Sequence, residues 1–230
     1  MPSVKKLPYI TVDQYLASEE RGSNRHEYVD GRTFAMGGAS KRHNTIALNI
    51  SSALRSHLKG SRCRVYMADV KLRVETTNSF YYPDVMVSCD QEDDKATFTT
   101  EPVLLVEILS PGTATIDRRE KVQAYRQIES LTQYLIVHQR KKHVEMHLRT
   151  EHGGWEILEF GTDSEPELLI LTNCAAGTFK LSMAAIYESI DWPAPGDSIV
   201  REGAAPGIWQ PAEHPGENLL ESEPFDSLDW

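Results

Sequence analysis

One nearly unbroken apolar segment, VLLVEI at residues 103–108, constrains the fold more than any other feature. Such a run is typical of a central β-strand covered on both faces. Ser110-Pro111-Gly112 ends it, a helix is predicted for residues 117–129, and the apolar segment YLIVH follows. Strand, helix and strand in this order predict a right-handed crossover between parallel strands. We therefore predict an α/β fold, a mixed sheet with helices packed against it.

Patterns on both sides of this unit predict further helices and strands. Thr11 is a candidate N-cap for a helix over TVDQYLASEE, and Asp30-Gly31 is a strong hairpin signal. An apolar stripe predicts a helix over about residues 40–58. Strands are predicted for RVYM, VKLRV and DVMVSC, a hairpin for HVEMHL and WEILEF, and a last short helix for SMAAIYESI.

The negative charge of the chain is concentrated near its C-terminus. Residues 191–230 contain nine acidic residues and one basic residue, which accounts for −8 of the net charge of −10 and leaves residues 1–190 at −2. This segment is also rich in Pro and Gly and has no sustained period, so we predict a largely disordered tail after one domain at residues 1–190. An acidic tail of this kind could mask a nucleic-acid site.

Cellular location and cysteine chemistry are predicted from what the sequence contains. No apolar signal region follows Lys5 and Lys6, and no apolar run approaches the about 20 residues that span a bilayer, so we predict a cytoplasmic protein without membrane contact. Cys63, Cys89 and Cys174 are odd in number, far apart and without a CxxC pair. We therefore predict reduced thiols rather than disulfides or a structural zinc site.

Two carboxylates on predicted neighbouring strands are candidates for chemistry. Glu107 lies inside the apolar run, where a carboxylate is costly without a partner, a proton or a metal ion. The alternative is a strand-end glutamate that reaches water. Asp84 follows Pro83 at a strand start, where an acid can also be a simple turn residue. Together the two carboxylates can bind Mg²⁺ through oxygen ligands.

Three more polar residues are candidates for the same site. Lys121 falls on the predicted inward face of its helix, although a lysine there can also pack its stem and extend its ammonium into water. Glu27 lies in the hairpin segment HEYVDG. His43 lies at the start of the long helix on its apolar stripe, where a core or capping role is the alternative.

Taken in order, these segments resemble the Uma-type family of restriction-endonuclease-like proteins in the PD-(D/E)xK nuclease superfamily. The resemblance rests on HEYVDG, His43, YYPDVMV, LLVEILSP, a D-x3-K-x3-Y motif and QYLIV, and it spans about residues 9–190. The D-x3-K-x3-Y motif consists of Asp117, Lys121 and Tyr125. The tail lies outside the resemblance.

The resemblance implies a restriction-endonuclease-like fold and metal-dependent hydrolysis of phosphodiester bonds in DNA. Asp84, Glu107 and the backbone carbonyl of Ile108 would bind Mg²⁺, with Mn²⁺ as a substitute. Lys121 would orient the attacking water or stabilise charge on the phosphate, and Glu27 would assist the metal. Further site candidates are His43, Asp117 and Tyr125. By analogy with related folds, a symmetric homodimer would present two sites to two strands.

One position departs from the superfamily motif, because Leu109 stands where the motif has its lysine. The resemblance implies that Lys121 has taken over this role, with Lys71 as a reserve candidate. If neither lysine reaches the carboxylates, we expect a catalytically inactive module that binds nucleic acid or regulates, which is the alternative function. A zinc hydrolase using His138, His143 and His147 is a further alternative, although no HExxH motif is present.

Overall fold

The computed structural model describes residues 8–90, 95–110, 120–161, 167–171 and 177–192. The predictions for Asp117, for Cys174 and for nearly all of the C-terminal tail lie outside these residues. The described chain forms a five-stranded sheet, a six-stranded sheet and a two-stranded ribbon, together with α-helices. Within these ranges no helix is long and apolar enough to cross a membrane.

Along the described chain, α-helices lie before, between and after groups of two, six and five consecutive strands. The strands are β1 (His26–Val29), β2 (Arg32–Ala35), β3 (Arg64–Met67), β4 (Lys71–Val74), β5 (Ser79–Tyr81), β6 (Val85–Ser88), β7 (Phe98–Thr99), β8 (Pro102–Leu109), β9 (Gln133–His138), β10 (Val144–Arg149), β11 (Trp155–Phe160), β12 (Glu167–Leu171) and β13 (Thr178–Ser182). The α-helices are α1 (Val12–Arg21), α2 (Lys41–His57), α3 (Val122–Tyr125) and α4 (Met183–Ile186).

The five-stranded sheet has the order β2-β1-β5-β4-β7 and carries α1 on one face. The predicted hairpin between β1 and β2 is confirmed, and both of its turn residues have positive φ, 41° at Asp30 and 85° at Gly31. A Cβ at position 31 would clash with the ring of Tyr9, so the turn requires glycine. The predicted cap of α1 is also confirmed, since Thr11 and Gln14 form a reciprocal capping box.

The six-stranded sheet has the order β11-β10-β9-β8-β6-β3. Strand β8 is its centre, antiparallel to β6 and parallel to β9, and all eight of its residues are buried. The structure therefore confirms the mixed sheet and the parallel pair that the apolar runs predict.

Two hydrophobic cores cover the faces of this sheet. On one face, the side chains of Leu104, Val106 and Ile108 pack under α2, α4 and the β12–β13 ribbon. On the other face, Leu105 and Leu109 pack against α3 and the five-stranded sheet. Side chains alternate along a strand, so position 107 faces the second core, between the two sheets.

The helix predicted for residues 117–129 ends earlier than its apolar face indicates. Helix α3 ends at Tyr125 and a turn begins at Arg126. The guanidinium of Arg149, on β10, donates to the backbone carbonyls of Arg126, Ile128 and Leu131 at 2.6–3.2 Å. These carbonyls are thus satisfied without a further helical turn.

The prediction of reduced cysteines is wrong for Cys63 and Cys89, which form a disulfide. Arg64 pairs with Ser88 across β3 and β6, so the residues just beyond this pair face one another. A separation of 26 residues in sequence gives no sign of this contact. Because disulfides are rare in reducing compartments, the cytoplasmic location stays a prediction.

Candidate active site

Asp84 and Glu107 lie opposite one another at the junction of β6 and β8. Val85 pairs with Val106, and the next residues along these antiparallel strands are Asp84 and Glu107. Directly opposed residues point to the same face of a sheet. Asp84 Oδ2 also accepts a hydrogen bond from the backbone N–H of Ile108 at 2.7 Å. The structure thus brings the two predicted carboxylates together.

Lys121 joins Glu107 to a carboxylate from the other sheet. Its Nζ lies 3.1 Å from Glu107 Oε1 and 2.8 Å from Glu27 Oε1. Lys121 and Glu107 are only 5% and 4% exposed. Removing one member of such a buried group would leave the remaining charges uncompensated, which is strongly destabilising. The ammonium of Lys121 therefore does not extend into water. The carboxylate of Glu107 is likewise not a strand-end group that reaches water.

Tyr125 completes the surroundings of Glu107. Its hydroxyl donates to Glu107 Oε1 at 2.8 Å, and its ring is fully buried. Burial and the neighbouring charge of Glu107 raise the pKa of Tyr125 well above its ordinary value. The phenol therefore stays protonated and acts as a hydrogen-bond donor that fixes the carboxylate.

His43 reaches the site from the first turn of α2. The hydroxyl of Ser40 accepts a hydrogen bond from the His43 backbone N–H and caps the helix. The imidazole extends toward β6, where its Nε2 lies 3.1 Å from Asp84 Oδ2. The Asp84 side chain is 18% exposed, so this end of the site opens to solvent.

The reserve lysine lies in a different environment. Lys71 is buried with its Nζ 5.7 Å from the ring centre of Tyr82, and burial lowers its pKa. Leu109, at the motif position of the lysine, packs in the core between the sheets. Of the two candidate lysines, it is Lys121 that contacts the carboxylates.

Sequence reasoning missed a second buried carboxylate, Glu19 on α1. Its oxygens accept from Tyr82 at 2.6 Å and contact the Nδ1 of His26 at 2.9 Å. These partners lie next to Glu27 and two residues before Asp84, so Glu19 supports two strands that carry the site. A signal exists in the sequence, because Glu19 is one helical turn after the buried Tyr15 and shares its face.

The histidines of the zinc alternative have different neighbours. The ring of His143 lies 4.9 Å from that of His138. His147 instead contacts Glu145 at 2.6 Å and Arg126 at 3.0 Å. Four residues of extended chain separate His143 from His147 by roughly 13 Å.

The donor set at Asp84 and Glu107 fits a hard divalent cation better than zinc. Nowhere in the described ranges do three His, Cys, Asp or Glu side chains converge in an arrangement that could hold a metal ion. Mg²⁺, however, is commonly bound through one or two carboxylates, with water and substrate phosphates completing its shell. Asp84 uses Oδ2 for both of its contacts. Its second oxygen and the Ile108 peptide beside it are ligands of the required type.

Comparison with known proteins gives matches of the same kind. The profile of the Uma2 family, described as "Putative restriction endonuclease", matches residues 12–184. The uncharacterised Synechocystis protein slr1290 is 37% identical over 163 residues, covering 70% of this chain and 86% of its own length. A second uncharacterised Synechocystis protein, sll1609, is 30% identical over 171 residues, covering 73% and 97%.

The crystal structure of a protein described as a "putative nuclease belonging to DUF820", from Anabaena variabilis, has the same fold. Its TM-score is 0.59 at 17% identity, over 77% of this chain and 97% of that one. The fold is thus one found in a nuclease-type protein. Since the profile matches most of the chain, this protein belongs to the Uma2 family, described as "Putative restriction endonuclease".

Proposed function

We propose that this protein is an endonuclease that hydrolyses phosphodiester bonds in DNA with Mg²⁺, for which Mn²⁺ can substitute. The observation that carries the proposal is the contact of one buried lysine, Lys121, with carboxylates from two different sheets. Next to them lies a third carboxylate, Asp84, at the solvent-facing end. A purely structural ion pair needs no such convergence.

Asp84, Glu107 and the backbone carbonyl of Ile108 would hold the metal. A bound divalent cation polarises the scissile phosphate and lowers the pKa of a coordinated water. Glu27, which shares Lys121 with Glu107, would assist from the neighbouring sheet.

Lys121 acts on the phosphate or on the attacking water. Its ammonium lies between two carboxylates, which fix it in place. A fixed positive charge stabilises the negative charge that develops on the phosphate in the transition state. Tyr125 would orient Glu107 through its hydrogen bond, and His43 would orient Asp84 through the contact of its Nε2 with Oδ2.

Plasmid cleavage tests this proposal. Supercoiled plasmid is incubated with wild type, Asp84→Ala and Glu107→Ala in Mg²⁺, Mn²⁺ or EDTA. We expect nicking by the wild type that EDTA stops and that both substitutions reduce by at least about 10³-fold. Glu145→Gln, in the separate pair with His147, is the control and should cut normally. Wild-type rates for Asp84→Ala would show that the assignment is wrong.

The products of this assay also address the proposed homodimer. Two sites that act together on two strands convert supercoiled plasmid directly to linear DNA, whereas one site gives open circles first. Size-exclusion chromatography of the pure protein gives the oligomeric state independently. Metal-dependent DNA binding without nicking in any condition would favour the inactive binding module instead.

A further inference from the structure

Four basic side chains lie at the edge of the molecule where the candidate active site opens. They belong to two segments, the first turn of α2 and the turn between β9 and β10. We name them together the basic rim: Lys41, Arg140, Lys141 and Lys142. All four are exposed. Among the described residues, none of the four side chains forms a hydrogen bond or an ion pair.

Hydrogen bonds fix the two segments side by side. Ser40 Oγ donates to Gln139 Oε1 at 2.7 Å, and these two residues immediately precede Lys41 and Arg140. Arg42 adds a contact of 3.5 Å to the Gln139 carbonyl, and its guanidinium lies over the ring of Trp192. Arg42 therefore serves to dock the turn rather than to meet a ligand.

The hydrogen bonds of Gln139 also place the basic rim beside the carboxylates of the candidate active site. Gln139 Nε2 donates to the carbonyl of Leu109 at 2.9 Å, two residues after Glu107. Parallel pairing of Leu109 with His138 brings the ends of β8 and β9 to one edge of the sheet. On the other segment, His43 follows Lys41 by two residues and contacts Asp84. Each of the two segments of the basic rim is thus connected to the candidate active site, one through Gln139 and the other through His43.

We propose that the basic rim binds phosphates of duplex DNA on the side of the scissile bond and holds the backbone across the site. This inference rests on the proposed function, since it names how the substrate of that site is held. Exposed ammonium and guanidinium groups bind phosphates by releasing counterions. Among the described residues of this edge, Asp191, whose carbonyl accepts from Arg42, adds one negative charge against the four positive charges of the rim.

DNA binding measured in the absence of cleavage tests this proposal separately from the proposed hydrolysis. The protein carries Glu107→Gln and no metal is added, so cutting cannot influence the result. Binding of a fluorescent duplex of about 20 base pairs is measured by anisotropy at salt concentrations from about 50 to 200 mM. The rim variant combines Arg140→Gln, Lys141→Gln and Lys142→Gln. The control variant combines Arg55→Gln, Lys59→Gln and Arg62→Gln.

The control removes the same charge from the opposite end of α2. Its three residues are also exposed; Arg55 lies 12 residues, or roughly 18 Å, along α2 from His43, and Lys59 and Arg62 follow the end of the helix. Both variants therefore alter the net charge equally, and only the position of the lost charge differs.

We expect the rim variant to bind roughly 10- to 500-fold more weakly at about 0.1 M salt, because each lost phosphate contact lowers the salt slope by about 0.9. The control should lose much less, and its slope should stay near that of the parent. Equal weakening of both variants, no weakening of the rim variant, or no DNA binding by the parent would each overturn the proposal. Binding through the rim by a wild type that never cuts would overturn only the proposed hydrolysis.

Discussion

The side chains of Glu107 and Glu19 are both buried, and each accepts a hydrogen bond from a tyrosine hydroxyl, from Tyr125 at 2.8 Å and from Tyr82 at 2.6 Å. Their other contacts differ. Glu107 shares a lysine with a second carboxylate, whereas Glu19 is satisfied by His26, through its ring and its backbone N–H. A buried carboxylate is therefore not by itself a sign of catalysis. The distinguishing feature is convergence of several carboxylates and one cation at an edge that opens to solvent.

The two buried lysines provide the largest expected contrast. Lys121→Met should reduce the cleavage rate by about 10²- to 10⁴-fold, because it removes the fixed charge beside the phosphate. It should also lower the melting temperature, since Glu27 and Glu107 would be left without their shared cation. Single-turnover plasmid cleavage and thermal unfolding measure the two effects.

Lys71→Met is the matched control. Lys71 lies over the ring of Tyr82, and burial already lowers its pKa, so its charge is costly in the fold. We expect normal cleavage and an unchanged or higher melting temperature. Loss of cleavage with Lys71→Met, while Lys121→Met still cuts, would assign the catalytic role to Lys71 instead of Lys121.

Glu19→Gln should weaken the fold and spare the chemistry. The amide has one acceptor oxygen in place of two, so it cannot accept from the His26 ring on one oxygen and from Tyr82 on the other as the carboxylate does, and lost buried hydrogen bonds cost about 1–3 kcal/mol. Urea unfolding measures this loss, and cleavage well below the melting temperature should remain near the wild-type rate. A cleavage defect without a stability loss would place Glu19 in the active site.

A smaller effect is expected at alkaline pH. Burial raises the pKa values of Tyr82 and Tyr125 in the folded protein, whereas an unfolded tyrosine ionises near pH 10. Above about pH 10 the unfolded state therefore loses protons first, and the free energy of unfolding falls as pH rises. Lys71, with its lowered pKa, offsets this in part. Tyr82→Phe should flatten the decline between pH 9 and 11, and an unchanged slope would contradict the assigned cause.

Local patterns predicted the frame of the molecule well. The hairpin at Asp30-Gly31, the capped helix α1 and the buried strand β8 each follow from a few adjacent residues, and the structure confirms them. The inward position of Lys121, which is 5% exposed, also follows from local sequence, because a helical face is a short-range property. Strands β5 and β7 were not predicted, since they span three and two residues and depend on pairing with β4 rather than on any period.

Contacts between distant segments could not be predicted from the sequence. The hydrogen bond between Glu19 and Tyr82 joins residues 63 positions apart, and the hydrogen bond between Ser40 and Gln139 joins residues 99 positions apart. The Cys63–Cys89 disulfide depends on the register of β3 against β6. In each case the neighbouring sequence gives no sign of the contact, because the contact depends on how the topology brings two distant segments together.

The most direct test compares Glu107→Gln with Glu19→Gln in one plasmid assay with Mg²⁺. Glutamine at either position keeps the size of the side chain and an acceptor oxygen while removing the charge. If Glu107 is part of a metal-dependent active site, Glu107→Gln will show no nicking above the EDTA blank and Glu19→Gln will nick like the wild type. Wild-type nicking by Glu107→Gln would contradict the central claim.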